Sequence, residues 1–389
     1  MPRRQFTGCT ISTALMLVLF WPQAAGAKNF FVDAASASNP DCDSNSVQNP
    51  FRALDAAEAC AKLLQQDSTI FIMCTAPGKC THSPPAGRVF EQHPDGYRIA
   101  IRGEPEGEVT IFARVDPEEP ANTNPIRIEN RRSFFGLRLD GGGGNSTQQS
   151  GSFIRIEGND VELVGNEITN TGFRCLTLAI PGSSTAQFTN ITIAHNRIHG
   201  CYQTETDKFE THCIYNQSAS EVQILFNDIF DCGADGYQIE NYRAPYTPNV
   251  PVALTNSIIG TRIYSRCHAA EGIYSIPFSP GENAIDIKRA GRGVAIRDNF
   301  IWGYRQSYDK TVPCHGIGDG AFGGGIAISG VLEDGTGLPC ALAPCALAEG
   351  NTLTNCGEVL RSVPQRGRCQ SFRMASRMAF GFEGISSQT

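Results

Sequence analysis

The feature that most constrains this chain is a short pattern that recurs along it. An Asn, any residue, then Ile or Leu appears as Asn166-Glu167-Ile168, Asn196-Arg197-Ile198, Asn227-Asp228-Ile229, Asn256-Ser257-Ile258, Asn299-Phe300-Ile301 and Asn351-Thr352-Leu353. The asparagines are spaced by 30, 31, 29, 43 and 52 residues, and a Gly follows each within a few positions. Short runs alternating at period 2 precede most of them, such as Val161-Glu162-Leu163-Val164 and Ile191-Thr192-Ile193-Ala194. A unit of about thirty residues with short strands, no helix and a repeated turn is the mark of a β-solenoid. Each coil must turn its backbone inside the stack, away from water. An Asn side chain carries both a donor and an acceptor, so stacked asparagines satisfy one another. The expected fold is therefore all-β, a single-stranded right-handed parallel β-helix with an N-terminal capping α-helix.

The ends of the chain read differently. Arg3 and Arg4, the uncharged run Ile11 to Trp21 and Ala25-Gly26-Ala27 have the layout of a secretory signal peptide over residues 1–27. That apolar run is shorter than the roughly 20 residues of a membrane span. Residues 28–389 are expected to form one domain. Within it 28–75 supply a strand and helix cap, about 97–360 the coils, and about 361–389 a C-terminal cap or tail. Pro50 precedes an amphipathic stretch with Phe51, Leu54, Ala57, Cys60 and Leu64 on one face. Asp41, Asp43 and Asn45 read as a hydrogen-bonded turn, because the other ligands of a Ca²⁺ loop are missing.

Fifteen cysteines occur, and all but Cys9 fall after the leader. An even remainder in an exported chain reads as disulfides, and the absence of any C-x-x-C pair argues against zinc. Cys201 and Cys232 each sit five residues after their coil's Asn, and Cys175 and Cys213 also align. The expected bridges are Cys201–Cys232 and Cys175–Cys213. Three N-glycosylation sequons begin at Asn145, Asn190 and Asn216. The formal charge of -7, with no dense basic cluster, argues against a nucleic-acid partner. An acidic sugar in a local cationic groove stays open. Residence in the periplasm or outside the cell, without membrane insertion and as a monomer, is the expectation.

The opening Phe31-Val32-Asp33, the turn Asp43-Ser44-Asn45 and Pro50-Phe51-Arg52-Ala53-Leu54 resemble the start of many pectate-lyase-like β-helix proteins. The resemblance extends through the coil repeats and covers nearly the whole chain after the leader. It implies action on, or binding of, polysaccharides, chiefly acidic ones. Glu282-Asn283-Ala284-Ile285-Asp286-Ile287-Lys288, followed by Val294 to Asn299, is similar to the strand that carries the catalytic Lys in alginate lyases and chondroitinase B, polysaccharide lyase family six. It also resembles the Lys-bearing strand of family-nine pectate lyases. Family six has an acidic Ca²⁺ ligand five residues before that Lys, where this chain has Asn283. By analogy, Arg305 would hold a sugar carboxylate.

Strand alternation places a patch around this segment. One outward column reads Tyr215, Gln238, Asp286, and its neighbour reads Gln217, Glu240, Lys288. β-Elimination on a uronate polymer needs a cation near the carboxylate, a base and an acid. The expected roles are Asp286, Glu240 and Asn283 for Ca²⁺, Lys288 as base and Tyr215 as acid, with Gln217, Gln238 and Tyr242 binding substrate. The competing readings are a solvated ion pair of Asp286, Glu240 and Lys288, and a catalytically silent sugar-binding solenoid with Tyr215, Tyr237, Tyr242, Tyr246 or Trp302 as platforms. A glycosidase would need a carboxylate pair, for which Asp235 with Glu240 or Asp231 are the available residues. His195 and His212 are the two histidines that merit testing.

Overall fold

The computed structural model describes residues 26–37, 39–76, 80–83, 88–113, 126–142, 152–171, 174–178, 188–201, 211–217, 219–240, 256–265, 282–288, 294–304, 324–329, 346–354 and 358–362. Within these, the chain winds through three all-parallel sheets, here called A, B and C, of 10, 9 and 9 strands. Successive strands visit A, then B, then C, then return to A one coil higher. This is a right-handed parallel β-helix, as the repeats require.

The alternation read from sequence fills the interior. In sheet A the inward column runs Ile70, Ile101, Phe134, Leu163, Ile193, Ile224, Ile258, Ile296. In sheet B it runs Ile111, Leu139, Ile168, Ile198, Ile229, Ile263, Ile301. All of these are buried. Each of these apolar residues thus packs on its equivalent one coil away, and burial of each is worth about 1.5–3 kcal/mol. A register slip of one residue would turn every such column outward.

The asparagines stack at the corner between sheets A and B. Asn166 Nδ2 donates to Asn196 Oδ1 at 3.1 Å and to the Phe134 carbonyl at 2.9 Å. Asn196 Nδ2 repeats this with Asn227 Oδ1 and Leu163, and Asn299 does so with Asn351 and Ile258. Each ladder Oδ1 also accepts the backbone N–H of the residue below, as Asn196 Oδ1 does from Asn166 at 2.9 Å. Asn256 is not a rung. It precedes a sheet A strand, Ser257–Ile259, and accepts the Val222 N–H at a different corner. The rung between Asn227 and Asn299 is Thr261, whose Oγ1 accepts the Asn227 N–H and whose own N–H donates to Asn299 Oδ1. A hydroxyl reproduces the acceptor of an Asn but reaches the Ile224 carbonyl at only 3.5 Å. The residue before each rung adopts a left-handed backbone, whether Gly165, His195, Phe226, Gly260, Asp298 or Gly350. Gly260 is needed there twice over, because a Cβ would lie 2.5 Å from the Phe226 ring.

The first coil is closed by the helix Leu54–Leu63, which buries Leu54, Ala57, Cys60 and Ala61. Glu58 on its inner face meets the fully buried Arg132 at 2.8 Å and also pairs with Arg88. The Asn45 side chain bonds both the N–H and the carbonyl of Phe31, at 2.8 and 2.9 Å, and Cys42–Cys60 ties that turn to the helix. Asn45 therefore closes a turn, as expected.

The described disulfides also include Cys74–Cys80, Cys175–Cys201 and Cys213–Cys232. The last two correct the expected Cys201–Cys232 and Cys175–Cys213. The coil register behind that expectation holds, since Cys201 and Cys232 are strand partners. In-register neighbours on parallel strands keep their Cβ atoms about 4.8 Å apart, whereas a disulfide needs about 3.8 Å. Each bridge instead runs diagonally, from the start of a sheet C strand to the end of the next coil's sheet B strand, with Cα–Cα 5.4 and 5.3 Å. The remaining later cysteines, the leader except its last residues, and the C-terminal tail lie outside the described residues.

Asn196→Ala strands the Asn166 N–H and the Leu163 carbonyl, so chemical denaturation should show a loss of about 3 kcal/mol. Thr261→Asn, which completes the ladder, should gain about 1 kcal/mol. A loss at Asn196 within about 0.5 kcal/mol would contradict the ladder's role. Non-reducing peptide mapping should recover Cys175 with Cys201 and Cys213 with Cys232. Recovery of Cys175 with Cys213 would refute the diagonal pairing.

Candidate functional site

The outward side of sheet C does not look like a solvated solenoid face. Its strands include Arg174–Leu178, Ile214–Asn216, Tyr237–Glu240 and Asn283–Lys288. Ile214, Tyr237 and Ile285 form an inward column, and Asn216, Ile239 and Ile287 another. The outward column between them runs Thr177, Tyr215, Gln238, Asp286, in the register expected from the sequence. These four polar side chains are 3%, 4%, 2% and 3% exposed. Polar groups that point out of a sheet and are nonetheless dry lie under cover, not on a wet surface.

A second set of side chains enters from three residues upstream in each coil. Arg174, His212, Asp235 and Asn283 stand there, tied in register by the backbone bonds Cys175 N–H to His212, Cys213 N–H to Asp235 and Gly236 N–H to Asn283. All four are buried, and Asp235 is completely so. The two sets touch. The Arg174 guanidinium lies 4.3 Å from the centre of the Tyr215 ring, and the His212 ring stacks on Tyr215 at 5.2 Å. A desolvated cation on an aromatic face contributes about 2 kcal/mol.

Asp235 holds the cluster together. Its Oδ1 accepts both the backbone N–H and the Nδ2 of Asn283, at 2.9 and 3.1 Å. Its N–H donates to His212 Nδ1, and its Oδ2 lies 3.2 Å from the same nitrogen. Asn283 Nδ2 reaches on to Asp286 Oδ2 at 3.5 Å. Because carboxylates only accept, the Asn283 amide must turn its nitrogen toward Asp235 and Asp286. Asn283 Nδ2 thus bridges two carboxylates.

Of the sequence candidates, Tyr215, Gln238, Asp286 and Asn283 share this covered face. Glu240 and Lys288 are strand partners at its edge, and nothing is described of their side chains. Gln217 follows directly, its N–H bonded to the Leu178 carbonyl. Tyr242 and Arg305 lie outside the described residues. Arg174 was missed, although it stands three residues before its outward-column residue Thr177, as His212 and Asp235 do before Tyr215 and Gln238. Tyr237 faces the core, where its hydroxyl oxygen accepts from Asn216 Nδ2 at 3.3 Å, and burial pushes its phenol far above the ordinary tyrosine range. Fully buried against the core, it is not a sugar platform. Trp302 stacks on Tyr264 at 4.9 Å, and the stack continues through Phe230 to His199 along sheet B. Among the described residues, no three His, Cys, Asp or Glu side chains gather as a metal site, and no helix is long and apolar enough to cross a membrane.

No protein-family model matches the chain, and no curated protein matches it in sequence. Solved structures do. The crystal structure of pectate lyase Pel9A aligns with a TM-score of 0.54 and 11% identity, over 88% of this chain and 80% of that one. A rhamnogalacturonan lyase aligns at a TM-score of 0.48 and 13% identity over 92% and 90%. The pectin methylesterase from Aspergillus niger aligns at 0.41 and 10% over 94% and 92%. The protein has the right-handed β-helix fold of the pectate-lyase-like proteins. At such identities the likeness concerns the fold alone.

Asp235→Ala should lower stability by about 3 kcal/mol, since it strands the buried Asn283 N–H, while Asp235→Asn keeps an acceptor and should cost about 1 kcal/mol. Equal losses for the two variants in urea unfolding would show that Asp235 does not organise the cluster.

Proposed function

We propose that this protein acts outside the cytoplasm on an acidic polysaccharide, as a lyase that cleaves uronate chains by β-elimination. The observation that carries the reading is the covered polar face of sheet C, where Tyr215, Gln238 and Asp286 share one buried column and Lys288 borders it. A face built only for solvent would not desolvate two carboxylates, an imidazole and a guanidinium together. The disulfides suit an oxidising compartment.

In this reading Lys288 removes the proton beside the uronate carboxylate. The Tyr215 hydroxyl protonates the departing glycosidic oxygen. Gln217, Gln238 and Tyr242 hold sugar hydroxyls, and Arg305 or the buried Arg174 faces a carboxylate. Asp286 and Glu240 are the residues that would hold Ca²⁺, with Asn283 fixing the Asp286 carboxylate. When bound, the ion would screen the uronate carboxylate and favour Lys288 in its neutral form.

The test is the ultraviolet absorbance of unsaturated uronate on pectate, alginate and glycosaminoglycans. A rise that both chelator and Lys288→Ala abolish is expected. No rise on any polymer with folded protein would overturn the lyase reading and leave a sugar-binding β-helix.

A further inference from the structure

Buried amides at the coil turns use both ends, and Asn29 Oδ1 in the first strand is an exception elsewhere. The ladder asparagines do so, and Asn216 accepts the Ala219 N–H while donating to the Ala219 carbonyl. Gln238 departs from this. Its side chain is 2% exposed, yet its Oε1 is buried and has no hydrogen-bond partner among the described residues. It stands in the middle of the outward column, one coil from Tyr215 and one from Asp286. An unmet buried acceptor is costly, and a native chain keeps few of them. Methionine or leucine would fill the same space without that cost.

We propose that Gln238 is a specificity-determining residue, whose Oε1 accepts a hydrogen bond from a ring hydroxyl of an acidic sugar. The proposal rests on the reading that this face of sheet C takes such a sugar. An acceptor needs a donor, and the abundant donors of a sugar polymer are its hydroxyls. The amide is also neutral. Asp235 and Asp286 already place two buried carboxylates on this face, and a third at this rung would repel an anionic ring. A neutral oxygen supplies the acceptor without the repulsion. Sites that leave a polar group unmet until the right ligand arrives discriminate against analogues lacking its partner.

This makes an unusual pair of expectations for one substitution. Gln238→Met removes the unmet acceptor, so its thermal midpoint should equal or exceed that of the natural protein. Its affinity for the polymer should fall by about tenfold to a hundredfold. Gln238→Glu should weaken binding further, and more at low salt than at high salt. The experiment is thermal unfolding of the full chain together with calorimetric titration of polygalacturonate, alginate and chondroitin sulfate, with elimination followed in parallel. A lowered midpoint for Gln238→Met would show that the amide is structural and overturn the proposal. Unchanged affinity would overturn it too, since Oε1 then meets only water. If the natural protein binds a polymer and Gln238→Met does not, yet no unsaturated product forms, the lyase reading fails while the proposal stands. Binding of none of the three polymers by the natural protein would overturn both.

Discussion

The structure depends on one recurring contact, an Asn side chain that bonds the coil on either side of it inside a dry corner. Each rung satisfies a backbone N–H and a backbone carbonyl that the bend between sheets A and B would otherwise strand, as Asn196 does for Asn166 and Leu163. Unmet, each such group would cost about 1–3 kcal/mol. The ladder also sets the register of the inward columns, because a coil can shift only by breaking its rung. Everything on the outside follows from that register. Tyr215, Gln238 and Asp286 fall into one column because the ladder holds their coils in step.

The outside faces then differ in what they do with polar groups. On sheet B the charges compensate along the stack, with Arg138 on Glu167 at 2.9 Å and Arg262 on Asp228 at 3.0 Å. Beside them His199, Phe230, Tyr264 and Trp302 stack ring on ring. That face stabilises the solenoid. Sheet C instead buries Arg174, His212, Asp235 and Asp286 on the same face as Gln238, whose amide oxygen has no partner among the described residues. Stability gains little from such an arrangement, because desolvating charged groups offsets much of their attraction. A ligand that supplies the missing donor gives it a purpose.

The fold was legible because a solenoid repeats its physics. Period-2 alternation and the Asn turn recur coil after coil, so each coil supports the others. The sequence misled where chemistry substituted for identity. Thr261 is a rung without being an Asn, and Asn256 matches the pattern without being one. The alignment of Cys201 with Cys232 was sound, but adjacency in register is not the geometry of a disulfide. At the site, alternation correctly grouped Tyr215, Gln238 and Asp286. It missed Arg174, which enters ahead of its strand's outward column. It also could not show that Asn283 turns its nitrogen, not its oxygen, toward Asp286.

The most direct measurement is a crystal structure of the protein with a uronate oligosaccharide of the polymer it binds most tightly. The account predicts the sugar on the outward face of sheet C, across the coils of Tyr215, Gln238 and Asp286, with a ring hydroxyl within about 3.2 Å of Gln238 Oε1. An oligosaccharide seated on sheet A or sheet B, or on sheet C with Gln238 still lacking a donor, would contradict it.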